Sequence, residues 1–346
     1  MSVISRAVHG LRTNAITVAY RTENGIRNRL ASVVTRCGWT PALLPYSGYA
    51  NGQQARVLGR VVLAPPSVDP AALRGVPAWR RLLTLESPGV EVQVEFAGTT
   101  TTARSDEAGI LDARLLLDAV PTAGPATALL RLPGRAPSEV TIHVSDPAAA
   151  RGVVCDIDDT IWITGIAHPL KAARRMLFST SSTRRSVPGM AALLSAAVHG
   201  QDHPVVIYLS NGPWNLAGFV SRFLHKGRFP AGTVLMTDWG ITPRRWFRDG
   251  KKHKSSALAR LHDDFPDIAW VLIGDDGEHD PAIYGDFARE HPDHVAAIAL
   301  RQVDRNNPGH HEPARTTTRV GVPVLRGADG HDLLTPLREA LDAVPE

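Results

Sequence analysis

CDIDDTIWITG, residues 155–165, follows the apolar pair Val153-Val154 and packs three carboxylates, Asp156, Asp158 and Asp159, into four positions. Acids at the end of a buried strand are costly unless a counter-ion gathers them, so the stretch has to face a cation. Outward from it, the chain after Pro147 alternates between strand-like and helix-like stretches. Apolar runs recur at GVVCD (152–156), PVVIYLSN (204–211), GTVLMTD (232–238), AWVLIGDD (269–276), HVAAIAL (294–300) and VPVL (322–325). Near-continuous apolar strands separated by helices predict an α/β domain with a parallel, Rossmann-like sheet covered on both faces. In such sheets ligands collect at the carboxyl ends of the strands. Three of the runs end in polar chemistry: Asp156 and Asp158 after the first, Ser210 and Asn211 after the second, Asp275 and Asp276 after the fourth. The two acidic clusters are therefore expected to meet.

Converging oxygen-only ligands favour a hard cation, and Mg²⁺ is the usual one beside a phosphate. A carboxylate so placed can attack phosphorus to give an aspartyl-phosphate. A second carboxylate two residues on can protonate the leaving oxygen and later deprotonate water. Asp156 and Asp158 are the pair suited to that work.

Upstream the texture differs. At 346 residues and 37.3 kDa, the chain exceeds the roughly 250–300 residues at which single cores stop growing, so more than one domain is expected. Residues 45–147 show a period of two: VEVQVEF alternates Val90, Val92, Val94 and Phe96 with Glu91, Gln93 and Glu95, and VTIHV repeats the device. Turn signals at Ser87-Pro88-Gly89 and Leu132-Pro133-Gly134 punctuate these runs, predicting a small β-sandwich. Residues 1–40 carry apolar side chains at helical spacing, Ile4/Val8/Leu11 and Ile26/Leu30/Val33, predicting an amphipathic helical arm. Its arginines fit a solvated face or an anionic membrane surface. The catalytic-type domain is placed at 150–346.

Composition narrows the class. The chain is 43% hydrophobic and 21% charged, with net charge +4 and pI near 9.3, a mild basicity compatible with anionic substrates. No apolar run is long enough to span a bilayer. Two cysteines, Cys37 and Cys155, cannot build a disulfide framework, and a reducing cytoplasm is the expected setting, with peripheral contact at the inner face of the membrane as an option. His310 and His311 sit in a turn-rich stretch and read as a loop.

The stretch DIDDT at 156–160, LSNGPW around Ser210, KKHK ending at Lys254 and GDDGEHD at 274–280 resemble, in that order, the four motifs of the haloacid dehalogenase superfamily of phosphatases. More closely, DIDDT, YLSNGPWNL, FPAG, KHKSSAL and LIGDDGEHDPAIY resemble the actin-patch-associated phosphatidate phosphatase family and its bacterial relatives, over about 150–305. The resemblance implies a haloacid-dehalogenase-like fold with Asp156 as nucleophile and Asp158 as general acid/base. It implies Mg²⁺ held by the Asp156 side chain, the Asp158 backbone carbonyl and Asp275, with Asp276 or Asp280 as a further ligand or as a group that hydrogen-bonds the ligands. Ser210, helped by Asn211, would bind the transferring phosphoryl group, and Lys254 would neutralise its charge, with Lys251 and Lys252 as alternatives. Thr160 and Trp214 would lie at the substrate, although Thr160 also fits a capping role and Trp214 a core role.

The function expected is Mg²⁺-dependent hydrolysis of a phosphomonoester, a lipid phosphate such as phosphatidate. Alternatives are a soluble phosphate ester, a nucleic-acid end, or a non-catalytic phosphate- or membrane-binding module. Aromatic residues do not interleave with the basic ones, which argues against nucleic acid. Oligomeric state stays open. Between the first two motifs, residues 166–186 carry Lys171, Arg174, Arg175, Arg184 and Arg185 and no acid, a pattern that fits either a solvated loop or a lid approaching anionic lipid.

Overall fold

The computed structural model describes residues 31–65, 85–163, 185–237, 243–303 and 314–343. The arm through residue 30, most of the basic segment 166–186 and His310-His311 lie outside the described residues. Residues 31–36 are helical and strand β1 already begins at Thr40.

Seven strands form the first sheet: β1 (Thr40–Ala50), β2 (Gln54–Ala64), β3 (Glu91–Phe96), β4 (Thr99–Arg104), β5 (Ile110–Leu116), β6 (Gly124–Arg131) and β7 (Ser138–Val144). Alternation works locally as expected. Val92, Val94 and Phe96 of β3 are buried while Glu91 and Gln93 face out. The β3–β4 hairpin turns through Ala97 and Gly98, both at positive φ (50° and 79°), as a two-residue primed turn requires.

The expected β-sandwich is corrected. The seven strands form one sheet, ordered β4-β3-β6-β7-β1-β2-β5. It is mixed, because β1 pairs antiparallel with β2 and parallel with β7, at Gly48↔Ile142 through Ala50↔Val144. The edge strands β4 and β5 approach each other, with Thr99 of β4 bonded to Asp118 just beyond β5, so the sheet is nearly closed around its own core. Period-two alternation fixes which face of a strand is buried, and one curved sheet satisfies it as well as two stacked ones.

The second sheet is ordered β10-β9-β8-β11-β12-β14-β13, built from β8 (Arg151–Asp156), β9 (Val205–Pro213), β10 (Thr233–Thr237), β11 (Ala269–Asp275), β12 (Val295–Arg301), β13 (Ala314–Thr317) and β14 (Pro323–Gly327). Helices α1 (Met190–Ala197), α2 (Ala217–Lys226), α3 (Pro243–Asp264), α4 (Asp280–Glu290) and α5 (Gly330–Asp342) alternate with its strands. The all-parallel expectation is also corrected, because β13 runs antiparallel to β14. Their connection is a tight turn in which the Thr318 N–H donates to the Val322 carbonyl. So short a link joins only antiparallel neighbours, since a parallel pair needs a crossover.

The chain runs outward from β8 through β9 to β10, then returns to β11 on the other side of β8. The strand order thus reverses between β8 and β11, where α/β sheets bind their ligands. Register brings the strand ends level there: Cys155 pairs Ile273 on one side, and Asp156 pairs Leu209 on the other.

The two sheets share a continuous core, in which Tyr49, Leu58 and Ile110 of the first pack with the interior of the second. Polar contacts fix their relation. The Tyr49 hydroxyl donates to Asp264 Oδ2 at 2.6 Å and Thr233 Oγ1 donates to the Gly48 carbonyl at 2.7 Å. Asp264 is itself buried at the end of α3. Tyr49→Phe leaves that carboxylate short of a donor and should lower unfolding free energy by about 1–3 kcal/mol. The check is a fall in the urea midpoint at unchanged m-value.

Candidate active site

Three strand ends and two helices build the site. Asp156 ends β8, Ser210 lies near the end of β9, Asp275 ends β11, and Asp280 opens α4. Lys254 comes from within α3. Its ammonium lies 2.6 Å from Asp156 Oδ1 and 2.5 Å from Asp280 Oδ1, with all three side chains at most 2% exposed. Among Lys251, Lys252 and Lys254, the structure therefore puts Lys254 in the cluster.

Asp156, Asp275 and Asp280 each offer a carboxylate oxygen, and the three oxygens lie within 4.8 Å of one another. One ammonium among three carboxylates leaves a negative excess in a dry setting. Burial pushes the Asp156 carboxyl well above its ordinary range, with Lys254 opposing and Asp280, Asp275 and Asp158 adding to the rise. Asp275 is pushed up to about 8, by burial first and then by Asp280. Burial works to lower the Lys254 ammonium, but Asp156 and Asp280 together hold it well above its ordinary value. Asp275 Oδ1 accepts from the Gly277 and Glu278 N–H groups at 2.7 and 3.1 Å, whereas its Oδ2 is buried with no hydrogen-bond partner. An orphaned carboxylate oxygen within an all-oxygen trio fits a hard divalent cation.

Asp158 is held differently. Its Oδ1 accepts from Trp162 Nε1 at 3.0 Å and its Oδ2 bonds Ser210 Oγ at 2.9 Å. Trp162 is wedged edge-on against Phe219 and Phe223 of α2, so its indole is a fixed donor. Ser210 Oγ also accepts from the Gly212 N–H at 2.9 Å.

Thr160 is fully buried, and its hydroxyl donates to Asp156 Oδ2 at 3.1 Å, which orients the carboxylate. Asn211 offers its carbonyl to Thr237 Oγ1. Trp214 stacks on Tyr46 of the first sheet, centroids 4.8 Å apart, and so packs between the sheets. Asp276 Oδ1 accepts from the Val303 N–H at 2.8 Å, and its side chain is not in the carboxylate trio. Nor is that of Asp158, for which the resemblance implied the backbone carbonyl.

Sequence reasoning missed three residues. Trp162 lies four positions after Asp158, and a donor-only side chain at that spacing from an acid was the available signal. Arg301 donates to the carbonyls of Asp159 and Ala328, tying the loop after β8 to the end of β12. That bond spans 142 residues and left no local trace. Gly274 is the third. A Cβ there would lie 2.4 Å from Asp280 Oδ2, so only glycine lets that carboxylate close on the cluster.

Residues 151–302 match the family model described as phosphatidate phosphatase APP1, catalytic domain. The matched segment runs from the start of β8 to just past the end of β12. Among curated proteins, the chain is similar to phosphatidate phosphatase APP1 of Saccharomyces cerevisiae, 26% identical over 151 residues, covering 43% of this chain and 25% of the yeast protein. It is similarly 26% identical over 159 residues to the uncharacterized protein C29B5.04c of Schizosaccharomyces pombe, covering 44% of this chain and 25% of that one. The chain thus spans about a quarter of the length of these relatives. Among solved structures, it resembles a chain of the Pnkp1/Rnl/Hen1 complex, with TM-score 0.31, 20% identity and coverage of 44% of this chain and 50% of that one. A carbohydrate acetylesterase from Xanthomonas citri aligns with TM-score 0.30, 13% identity and coverage of 87% and 74%. With the sheets as described above, one mixed and nearly closed and the other with an antiparallel edge strand, the all-parallel haloacid-dehalogenase-like fold with a β-sandwich expected from the motifs is not retained.

Lys254→Met removes the only cation that touches Asp156 and Asp280 among the described residues. It should destabilise the fold by about 3–5 kcal/mol, the typical cost of breaking a buried pair, read by urea denaturation. Gly274→Ala should push Asp280 out of the cluster and weaken divalent-cation binding, measured by calorimetry.

Proposed function

We propose that this chain is a Mg²⁺-dependent phosphomonoesterase acting on a lipid phosphate of the phosphatidate type, through an aspartyl-phosphate on Asp156. The observation that carries the reading is the convergence of Asp156, Asp275, Asp280 and Lys254 at the strand-order reversal, beside a separately held Asp158–Ser210 pair. Similarity over residues 151–302 to a phosphatidate phosphatase catalytic domain supports the substrate class.

Asp156, Asp275 and Asp280 would hold the ion, the orphaned Asp275 Oδ2 being the open ligand position. When bound, Mg²⁺ would supply positive charge to the cluster and to the phosphate oxygens. Thr160 and Lys254 fix both oxygens of Asp156, presenting the carboxylate at one orientation toward an incoming phosphorus. Lys254 then offsets charge as the phosphoryl group transfers. Because Trp162 Nε1 can only donate, Asp158 Oδ1 is committed as an acceptor. The proton that Asp158 delivers to the leaving oxygen therefore sits on Oδ2, the atom beside Ser210. The same oxygen, once free, accepts a proton from the water that hydrolyses the acyl-phosphate. Ser210 and Asn211 stand at the end of β9 to contact the phosphoryl oxygens.

A cytoplasmic location with peripheral contact on anionic membrane accompanies this reading, supported by the basic composition of residues 166–186. No helix among the described residues is long and apolar enough to cross a membrane.

Purified full chain should release phosphate from phosphatidate vesicles in Mg²⁺, lose that activity in EDTA, and recover it on Mg²⁺ addition. Asp156→Asn should abolish turnover with the fold intact, because an amide does not attack phosphorus. Retained turnover in Asp156→Asn would sink the covalent mechanism. Trp162→Phe should cut kcat by about 10²–10⁴ at most, the range available to general acid/base catalysis. Its loss should be larger for poor leaving groups, with KM little changed. Activity confined to soluble esters would overturn the lipid assignment.

A further inference from the structure

Three histidines gather at the far ends of the helices that carry Lys254 and Asp280. His262 is in the last turn of α3, His291 follows directly on α4, and His294 closes the short 3-10 turn Pro292–His294. The His262 ring lies 4.1 Å from that of His291 and 4.4 Å from that of His294, centroid to centroid, and the outer pair are 6.4 Å apart. The Phe287 ring packs against both His262 and His291, at 6.4 and 5.0 Å, and backs them on one side. All three histidines are half-buried, so solvent reaches them. His262 Nδ1 is buried and has no hydrogen-bond partner. A ring nitrogen in that condition is either a desolvation loss or a ligand position.

We propose that His262, His291 and His294 form a transition-metal site, separate from the carboxylate cluster, that takes a borderline divalent ion of the zinc class and clamps the end of α3 to the end of α4. Imidazole nitrogen is the donor such ions prefer, whereas Mg²⁺ prefers the all-oxygen cluster. Metal–nitrogen bonds of about 2.1 Å at tetrahedral angles put imidazole centroids about 5 Å apart, and the three observed separations bracket that spacing. The carboxylate trio is the one group among the described residues whose ligand atoms already lie within 4.8 Å of one another. Ring rotation that draws His294 toward His291 therefore accompanies binding, and a fourth position is left to water. His262 follows Lys254 by eight residues, about two turns along α3. The clamp would thus hold together the two helices whose side chains make the buried Lys254–Asp280 pair.

The test uses the full chain without a histidine tag, freed of metal and held in saturating Mg²⁺, then titrated with Zn²⁺ by calorimetry and by equilibrium dialysis with metal analysis. The expected result is one Zn²⁺ bound per chain, with a rise in the thermal unfolding midpoint as Zn²⁺ increases. His262→Gln and His294→Gln should each weaken binding roughly tenfold or more, while Asp275→Asn keeps it. His294→Gln, in a surface turn, carries the comparison if His262→Gln folds poorly. Absence of Zn²⁺ binding to the wild type, unchanged affinity in the histidine variants, or loss of binding in Asp275→Asn would each overturn the proposal.

Discussion

The buried Lys254 ammonium, shared between Asp156 and Asp280, is the contact on which the rest of the carboxylate cluster depends. Three carboxylates in a dry pocket repel, and burial alone drives Asp156 and Asp275 toward their protonated forms. Lys254 offsets part of that charge without filling the open oxygen of Asp275. The cluster is therefore partly neutralised and still short of positive charge, a condition that suits a hard divalent cation.

This electrostatic arrangement places demands on distant parts of the chain. Lys254 reaches the pair because α3 packs against the sheet, and the end of α3 is tied through Asp264 to Tyr49 and Asn51 of the first sheet. Trp214, stacked on Tyr46, makes a second tie just beyond the Ser210 strand. The first sheet thus braces both the helix that supplies Lys254 and the strand that supplies Ser210. Its acids offer no catalytic cluster of their own among the described residues. Its physical contribution is rigidity, which a site built from fixed dipoles requires.

How much was legible before folding follows from the range of each interaction. Asp156, Asp158, Ser210, Asp275 and Asp280 fall at or near the ends of apolar runs, and a parallel sheet converts that pattern into proximity. The division of labour among the acids was not legible. DIDDT and GDDGEHD each hold more carboxylates than the trio uses. Backbone direction at the strand ends sends Asp276 to the Val303 N–H and Asp158 to Trp162 and Ser210.

The amino-acid sequence by itself determined six of the seven strands of the second half in their chain order, the buried faces of β3 and β7, and the acids at the strand ends that converge, because periodicity and motif are local properties. Tertiary structure decided that the first seven strands form one mixed, nearly closed sheet, since the β1–β7 pairing joins residues some ninety positions apart. It likewise decided the antiparallel edge strand β13 and the choice of Lys254 over its neighbours. Gly274 shows the same limit at a single residue. Nothing in the sequence distinguishes it from a turn glycine, and it is required only because the Asp280 carboxylate packs where a Cβ would stand.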